Sequence, residues 1–504
     1  MWQIDWSKLT DLLVYDAASP MIFSSGIFLF LFLGFSIIYA LLQRRTSARL
    51  LFVVLFSYYF YYKSSGTYFF LLGVVTCTDF LLAHRMAVTS RQSARKALLV
   101  TSLVVNLGLL CYFKYTNFFC QMLAPLWGGS FHPLDIFLPV GISFFTFQSL
   151  SYTMDVYRRQ LQPLDSLLDY AFFVSFFPQL VAGPIVRARD FIPQIRRPLT
   201  VTHEMFGRGV FLIAGGLFKK AVISDYISVN FVERIFDNPS LYSGIENLLG
   251  VYGYALQIYC DFSGYSDMAI GIALLLGFHF PVNFDSPYKS LSVTEFWRRW
   301  HISLSSWLKD YLYISLGGNR KGQVRTYVNL IITMLLGGLW HGASWNFVVW
   351  GGLHGFALAV HKWWSRTLLP ALGFSQERVR SIFSIFPVRL CKVVPWLITF
   401  HFVCFCWIFF RSASFEDSWT MIGRIFTSFQ PQLFVQWLSG YPEVSCLMLL
   451  GYLLHFTPDK WQLWSERQVG RMPLILQALL LVVVIFIVIQ VKCSDIQPFI
   501  YFQF

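Results

Sequence analysis

Charge is scarce in this chain. Of its 504 residues only 13% are Asp, Glu, Lys or Arg, against 56% hydrophobic and 19% aromatic. That balance excludes a soluble globular protein. The scarcity is also local, since Thr326 to His361 runs for 36 residues without a formal charge. No basic stretch followed by a short apolar core opens the sequence, so a cleaved leader is not expected and the chain is read as retained whole. Cysteine pairing is missing too. The nine cysteines are an odd number with no CxxC spacing, which argues against a disulfide framework, a zinc ribbon or a redox motif. Cys404 and Cys406, in HFVCFCWIFF, read as small buried hydrophobes. No cluster has metal-ligand spacing, so no metal is expected. Internal repeats, common in transporters, are not visible either.

What is present reads as a polytopic, all-α membrane protein. A span takes about 20 mostly apolar residues to cross roughly 30 Å of hydrocarbon, which leaves room for about a dozen crossings. No separate soluble domain is visible. The net charge of +13 lies in short clusters between apolar runs. There it sets topology and meets membrane lipids, and nucleic acid is not an expected partner. Residues 1–20 are expected to form an interfacial helix anchored by Trp2 and Trp6. Residues 21–504 are expected to form one transmembrane domain with its core motifs in 136–361.

Spans are expected near 21–42, 48–63, 66–83, 97–117 and 136–155. The intervening basic loops place the N-terminus outside by the positive-inside rule. AFFVSFFPQLVAGP, near 171–184, breaks this alternation, because Arg187, Arg189, Arg196 and Arg197 follow it. A re-entrant segment broken at Pro178 and Pro184 restores the order. Such backbone is tolerated only where protein or a water-filled cavity surrounds it, so a central cavity is expected. In 251–280, Asp261, Ser263 and Asp267 interrupt another apolar run. One reading is a loop between two helices, with Ser263 and Gly264 turning the chain and Asp267 as a cap. The other is the polar wall of a cavity.

NFDSPYKSLSVTEFWRRWHISLSSWLKDYLYISLGGNRKG mixes charge with tryptophan. As a helix it would align Trp297, Trp300 and Leu304 on one stripe, with Arg298 and Arg299 pointing elsewhere. It reads as an amphipathic re-entrant or surface helix, or as a lipid-facing anchor. Inside the charge-free run stands His341, in LLGGLWHGASWNF. An intramembrane histidine is either offset by a partner or used for chemistry. Glycines at 337, 338, 342, 351 and 352 allow a bend there. A neutral ring could accept a proton from an attacking hydroxyl, making His341 a general base. The alternative is a buried ring bonded to a carbonyl. His354 and His361 read as packing and interface residues.

FWRRWHISLSSWLKDYLYISLGGNR and LWHGASWNFVVWGGLHG resemble the signature of the membrane-bound O-acyltransferase (MBOAT) family. PVGISFFTFQSLSYTMDVYRR, SFFPQLVAGPIVRARDF, DFSGYSDMAIGIALLLGF and FIYFQF resemble its bacterial branch acting on cell-surface polysaccharides. The resemblance implies His341 as the catalytic histidine and His301 as a second site residue. His301 would orient the donor or stabilise developing charge. It also implies a ring of about 11–13 transmembrane and re-entrant helices around a thinned centre, in a bacterial cytoplasmic membrane. No bound cofactor is implied; the donor would be acetyl-CoA or another acyl thioester, entering from the cytoplasm. The acceptor would be an extracytoplasmic polysaccharide, reached directly or through a separate acetyltransferase partner. Arg298 and Arg299 could meet donor phosphates or set topology, and Asp261, Ser263, Asp267 and Trp340 are further candidates for the substrate path. Three other readings are D-alanyl transfer to teichoic acid, acylation of a lipid or protein, and a transporter or polysaccharide exporter.

Overall fold

A computed structural model describes residues 12–17, 20–128, 130–181, 183–371 and 388–491. The expected interfacial helix over 1–20 lies largely outside the described residues. Among those residues every regular element is a helix. In chain order, the helices used below are α1 (Gly26–Leu41), α2 (Thr46–Ser65), α3 (Phe69–Val88), α4 (Gln92–Leu110), α5 (Ile142–Tyr157), α6 (Leu167–Ser175), α7 (His203–Leu217) and α8 (Gly244–Leu275). They continue with α9 (Val293–Arg299), α10 (Ile302–Trp307), α11 (Gln323–His341), α12 (Trp345–Trp363), α13 (Val388–Arg411), α14 (Pro442–Phe456) and α15 (Leu474–Val491). By length and composition four helical stretches can cross a membrane: Thr46–Val88, Gln92–Leu126, Lys392–Arg411 and Leu474–Val491. Leu433–Gly440 with Pro442–Phe456, bent by 96°, makes a fifth if the pair is one span. Thr46–Val88 has 43 residues, or roughly 65 Å at 1.5 Å per residue, about twice the hydrocarbon thickness. It turns at Gly66, whose φ is +60°, which separates α2 from α3.

The chain forms two compact units. Among the described residues the first comprises those within 12–217, 264–281 and 466–491; the second comprises those within 218–263 and 282–465. In the first unit the segment after Tyr157 is broken in the way its prolines suggest. The nine-residue α6 is followed at once by a four-residue turn, Phe177–Leu180, and neither is long enough to span. Protein surrounds the break. The Phe177 ring packs on Phe35 at 5.4 Å and Phe56 at 5.1 Å, and its backbone N–H donates to Ser57 Oγ at 3.1 Å. Non-helical backbone in an apolar setting requires such donors and acceptors. The fifth expected span begins later than expected, at Ile142 rather than near 136. Gly141 precedes it at φ +75°, and a Cβ there would meet the Leu180 carbonyl oxygen at 2.6 Å.

The loop reading of 251–280 is overturned. α8 runs unbroken for 32 residues through Ser263, Gly264 and Asp267. Gly264 serves close packing instead of a turn, because a Cβ on Gly216 of α7 would lie 2.5 Å from the Gly264 carbonyl oxygen. Two turns along, a Cβ on Gly271 would lie 2.7 Å from the Gly209 carbonyl oxygen. Small residues in such rows let two backbones approach. The single-helix stripe expected for Trp297, Trp300 and Leu304 is likewise corrected. The helix stops at Arg299 and restarts at Ile302, with His301 between at φ +43°.

Candidate active site

The second unit holds both candidate histidines, each at a helix break. His341 is the last residue of α11, and Gly342 leads through an extended backbone to Ser344, the cap of α12. Glycine makes this hairpin possible. A Cβ on Gly338 would strike the Phe347 carbonyl oxygen, one on Gly351 the Met334 carbonyl oxygen, and one on Gly342 the Phe347 ring; one on Gly355 would lie 2.9 Å from Ile331 Cα. The expected bend at His341 is therefore present, and its ring is only 3% exposed. Aromatic rings enclose it: Trp340 at 5.0 Å, Trp350 at 5.0 Å and Phe410 at 5.2 Å between centroids, all steeply inclined to the imidazole.

His301 is placed by a different local device. Ser292 caps α9, its Oγ accepting from Glu295 N at 3.2 Å. The Glu295 carboxylate accepts from Leu291 N at 3.0 Å, so the start of α9 is fixed by reciprocal bonds. At its other end His301 takes a left-handed backbone, which for a residue with a Cβ costs roughly 1 kcal/mol or more. Asn283 holds that conformation, its carbonyl accepting from Ile302 N at 2.9 Å and its Oδ1 from Ser303 N at 3.2 Å and Ser303 Oγ at 2.9 Å. His301 Nδ1 is 3.2 Å from the same Oδ1. The ring is fully buried against Phe262 at 4.6 Å, perpendicular to it, and near Trp340 at 6.1 Å. Trp340 thus neighbours both histidine rings.

The aromatic chain continues past His341. Trp350 is 4.8 Å from His354, which is fully buried and accepts at Nδ1 from Trp297 Nε1 at 3.2 Å. Indole N–H can only donate, so the neutral His354 ring carries its hydrogen on Nε2. Neither that nitrogen nor Trp350 Nε1 has a hydrogen-bond partner among the described residues. His354 therefore packs within the same aromatic cluster. His361 is bonded to Thr294 Oγ1 at 2.8 Å.

The remaining candidates are dispersed. Arg299 binds Glu295 at 3.0 Å and Asp285 at 3.3 Å, while Arg298 is exposed. Asp261 forms a buried ion cluster with Lys220, which also contacts Asp225 at 2.7 Å. Helical geometry of about 100° per residue puts Ser263 and Asp267 together on the side of α8 away from Asp261. Asn283, Ser303, Trp297, Trp350 and Lys220 were not anticipated. Lys220 alone carried a usable signal, as a charged residue in the apolar run GLFKKAVIS. Among the described residues no three His, Cys, Asp or Glu side chains are grouped to hold a metal ion.

Chemically the cluster offers imidazoles shielded from water by indoles, a setting for proton transfer rather than for ion binding. The fold and the site define a polytopic, all-helical membrane protein with histidines buried at helix breaks. The profile of the membrane-bound O-acyltransferase family matches residues 161–402, a range that includes His301, His341, Trp350 and Asn283. The chain is 38% identical over 429 residues to a peptidoglycan O-acetyltransferase of Helicobacter pylori, covering 79% of this chain and 78% of that one. A probable alginate O-acetylase of Pseudomonas putida is 36% identical over 507 residues, covering 96% of this chain and all of the relative. A teichoic acid D-alanyltransferase of Bacillus subtilis is 28% identical over 300 residues, 56% of this chain and 71% of the relative. The chain belongs to the membrane-bound O-acyltransferase family, and it is an O-acyltransferase enzyme.

Proposed function

We propose that this enzyme moves an acetyl group from acetyl-CoA on the cytoplasmic side of a bacterial inner membrane to a hydroxyl of an extracytoplasmic polysaccharide. Transfer is direct or passes through a separate extracytoplasmic acetyltransferase. The observation that carries the reading is His341 at the break of the α11–α12 hairpin, buried between Trp340, Trp350 and Phe410. His341 takes the proton of the attacking hydroxyl as its oxygen adds to the thioester carbonyl. Collapse of the tetrahedral intermediate breaks the C–S bond, and the proton leaves with the thiol. General-base assistance of this kind contributes about 10²–10⁴-fold. The exclusion of water by the indoles also protects the thioester from hydrolysis.

Acetyl is favoured over D-alanyl by the relatives: the O-acetyltransferases align over more of the chain at higher identity than the D-alanyltransferase does. The test is uptake and transfer of radiolabelled acetyl-CoA by the purified protein in lipid vesicles, with His341→Ala and His301→Ala in parallel and folding checked for each. Label transfer by the wild type that is lost in a folded His341→Ala variant supports the reading. Equal transfer by that variant removes His341 as the base, and transfer of D-alanine from a carrier thioester in place of acetate would reassign the donor.

A further inference from the structure

We infer that Asn283 is a positioning residue that locks His301 in the tautomer whose Nε2 accepts, so that His301 serves the reaction as a hydrogen-bond acceptor toward the substrate rather than as a donor to the developing oxyanion. The inference rests on the acyl-transfer reading above and adds to it which atom of the second histidine works. Its starting point is the backbone N–H of Ser303, which lies 3.2 Å from Asn283 Oδ1. A backbone N–H can only donate, so the amide atom facing it is the oxygen, not the nitrogen. With the oxygen so placed, the Ser303 hydroxyl donates to the same atom at 2.9 Å.

His301 Nδ1 is 3.2 Å from this oxygen. Ser303 Oγ is also 3.4 Å from Nδ1, but its one hydrogen goes to Asn283 Oδ1 in the shorter bond; Nδ1 therefore faces oxygen lone pairs and carries the hydrogen, and the lone pair of the neutral ring is on Nε2. The left-handed backbone of His301 is held from the same residue, through Ile302 N and the Asn283 carbonyl. Asn283 therefore sets both where the imidazole stands and which of its nitrogens can accept. A neutral ring in this tautomer cannot donate from Nε2 to an oxyanion. It can receive a hydrogen bond from a substrate O–H or N–H, while the proton of the attacking hydroxyl goes to His341. The groups named around the ring, Asn283, Ser303, Phe262, Phe284 and Trp340, are neutral. The titratable groups next in line are His341, across Trp340, and Asp261, adjacent to Phe262 and held by Lys220.

The experiment measures kcat, KM for acetyl-CoA and the pH profile of kcat/KM for the full-length protein in vesicles, comparing wild type with Asn283→Ala, Asn283→Asp and His341→Ala. Loss of a group that orients a catalytic histidine typically costs about 10–100-fold in activity. Asn283→Ala is expected to lower kcat by that factor while KM changes by less than about threefold, because the histidine is mispositioned and donor binding is not. Asn283→Asp can still accept from Ser303 and from Nδ1–H. It is expected to restore most of kcat and to move the acid limb of the profile upward, since a carboxylate favours the protonated imidazole. A purely structural asparagine would change protein yield and leave the acid limb of the surviving enzyme in place. The inference is overturned if folded Asn283→Ala keeps wild-type kcat, or if folded Asn283→Asp has an unmoved acid limb. Activity retained by His341→Ala would instead count against the proposed function, so the two failures are separable.

Discussion

In the first unit Asp79 is fully buried near the middle of α3, and each of its oxygens is taken by a neutral donor, Ser102 Oγ at 2.7 Å and Asn106 Nδ2 at 2.8 Å, both from α4. In the second, His301 and His341 are as deeply buried, yet they stand among aromatic rings at helix breaks. The contrast separates two uses of polarity in an apolar protein. A side chain in mid-helix has its backbone already satisfied, so its neighbours have only to meet its own needs, and the result is a joint between helices. A side chain at a break stands where the chain changes direction, and its surroundings aim it. Burial alone does not distinguish a site from a joint.

The comparison is broken most sharply by exchanging the expected phenotypes. His341→Ala should lose about 10²–10⁴-fold in acetyl transfer with little change in folding, as expected for a general base. Label transfer and size-exclusion behaviour of the same sample would show this. Asp79→Ala should do the reverse. It strands one Asn106 N–H, at about 1–3 kcal/mol, while Ser102 Oγ keeps Thr153 Oγ1 at 3.1 Å, so thermal stability should fall while transfer per folded molecule stays near wild type. An Asp79→Ala variant that folds normally but is inactive would make Asp79 part of the chemistry and not a joint between helices. Gly351→Ala tests the scaffold of the site: its methyl would overlap the Met334 carbonyl oxygen, and overpacking of this kind costs about 1–3 kcal/mol. Gly352→Ala, where the nearest atom is Leu335 Cδ2 at 3.5 Å, should be tolerated in the same melting assay.

The smallest effect is expected outside the spans. Lys289 beside Asp459, at 2.8 Å, holds that carboxyl below its usual range. A lowered folded pKa adds stability above the ordinary value of about 3.9, and the contribution fades as pH falls through the lower one. The pair is largely exposed on the Asp459 side, so Asp459→Asn should cost only a few tenths of a kcal/mol at pH 7. Its melting difference from wild type should vanish in acid.

Much of this arrangement was legible in the sequence where one residue type has one physical meaning. The charge-free run with its glycines predicted the bend at His341, and the prolines near 178 predicted the broken segment. The rest was hidden because the same residues serve two ends. Ser263 and Gly264 look like a turn, but the glycine is there for the approach of α7, which no local pattern reports. The stripe of Trp297, Trp300 and Leu304 assumed a continuous helix, whereas His301 spends a left-handed backbone conformation that only its neighbours justify. Asn283 had no signal at all, since its role depends on a contact across 18 residues. Lys220 could have been found, because a lysine in an apolar run requires a partner and Asp261 was already in view.

The glycine clasp of α11 and α12 also bears on how this protein can change. Glycine is the one amino acid without a Cβ, so every coding substitution adds an atom that overlaps a backbone carbonyl oxygen at positions 338 and 351 and the Phe347 ring at 342. The hairpin that presents His341 has no neighbouring sequence to drift through at these points. A library randomised at 338, 342, 351 and 352 and selected for acetyl transfer should return glycine at the first three and a mixture of small residues at the fourth.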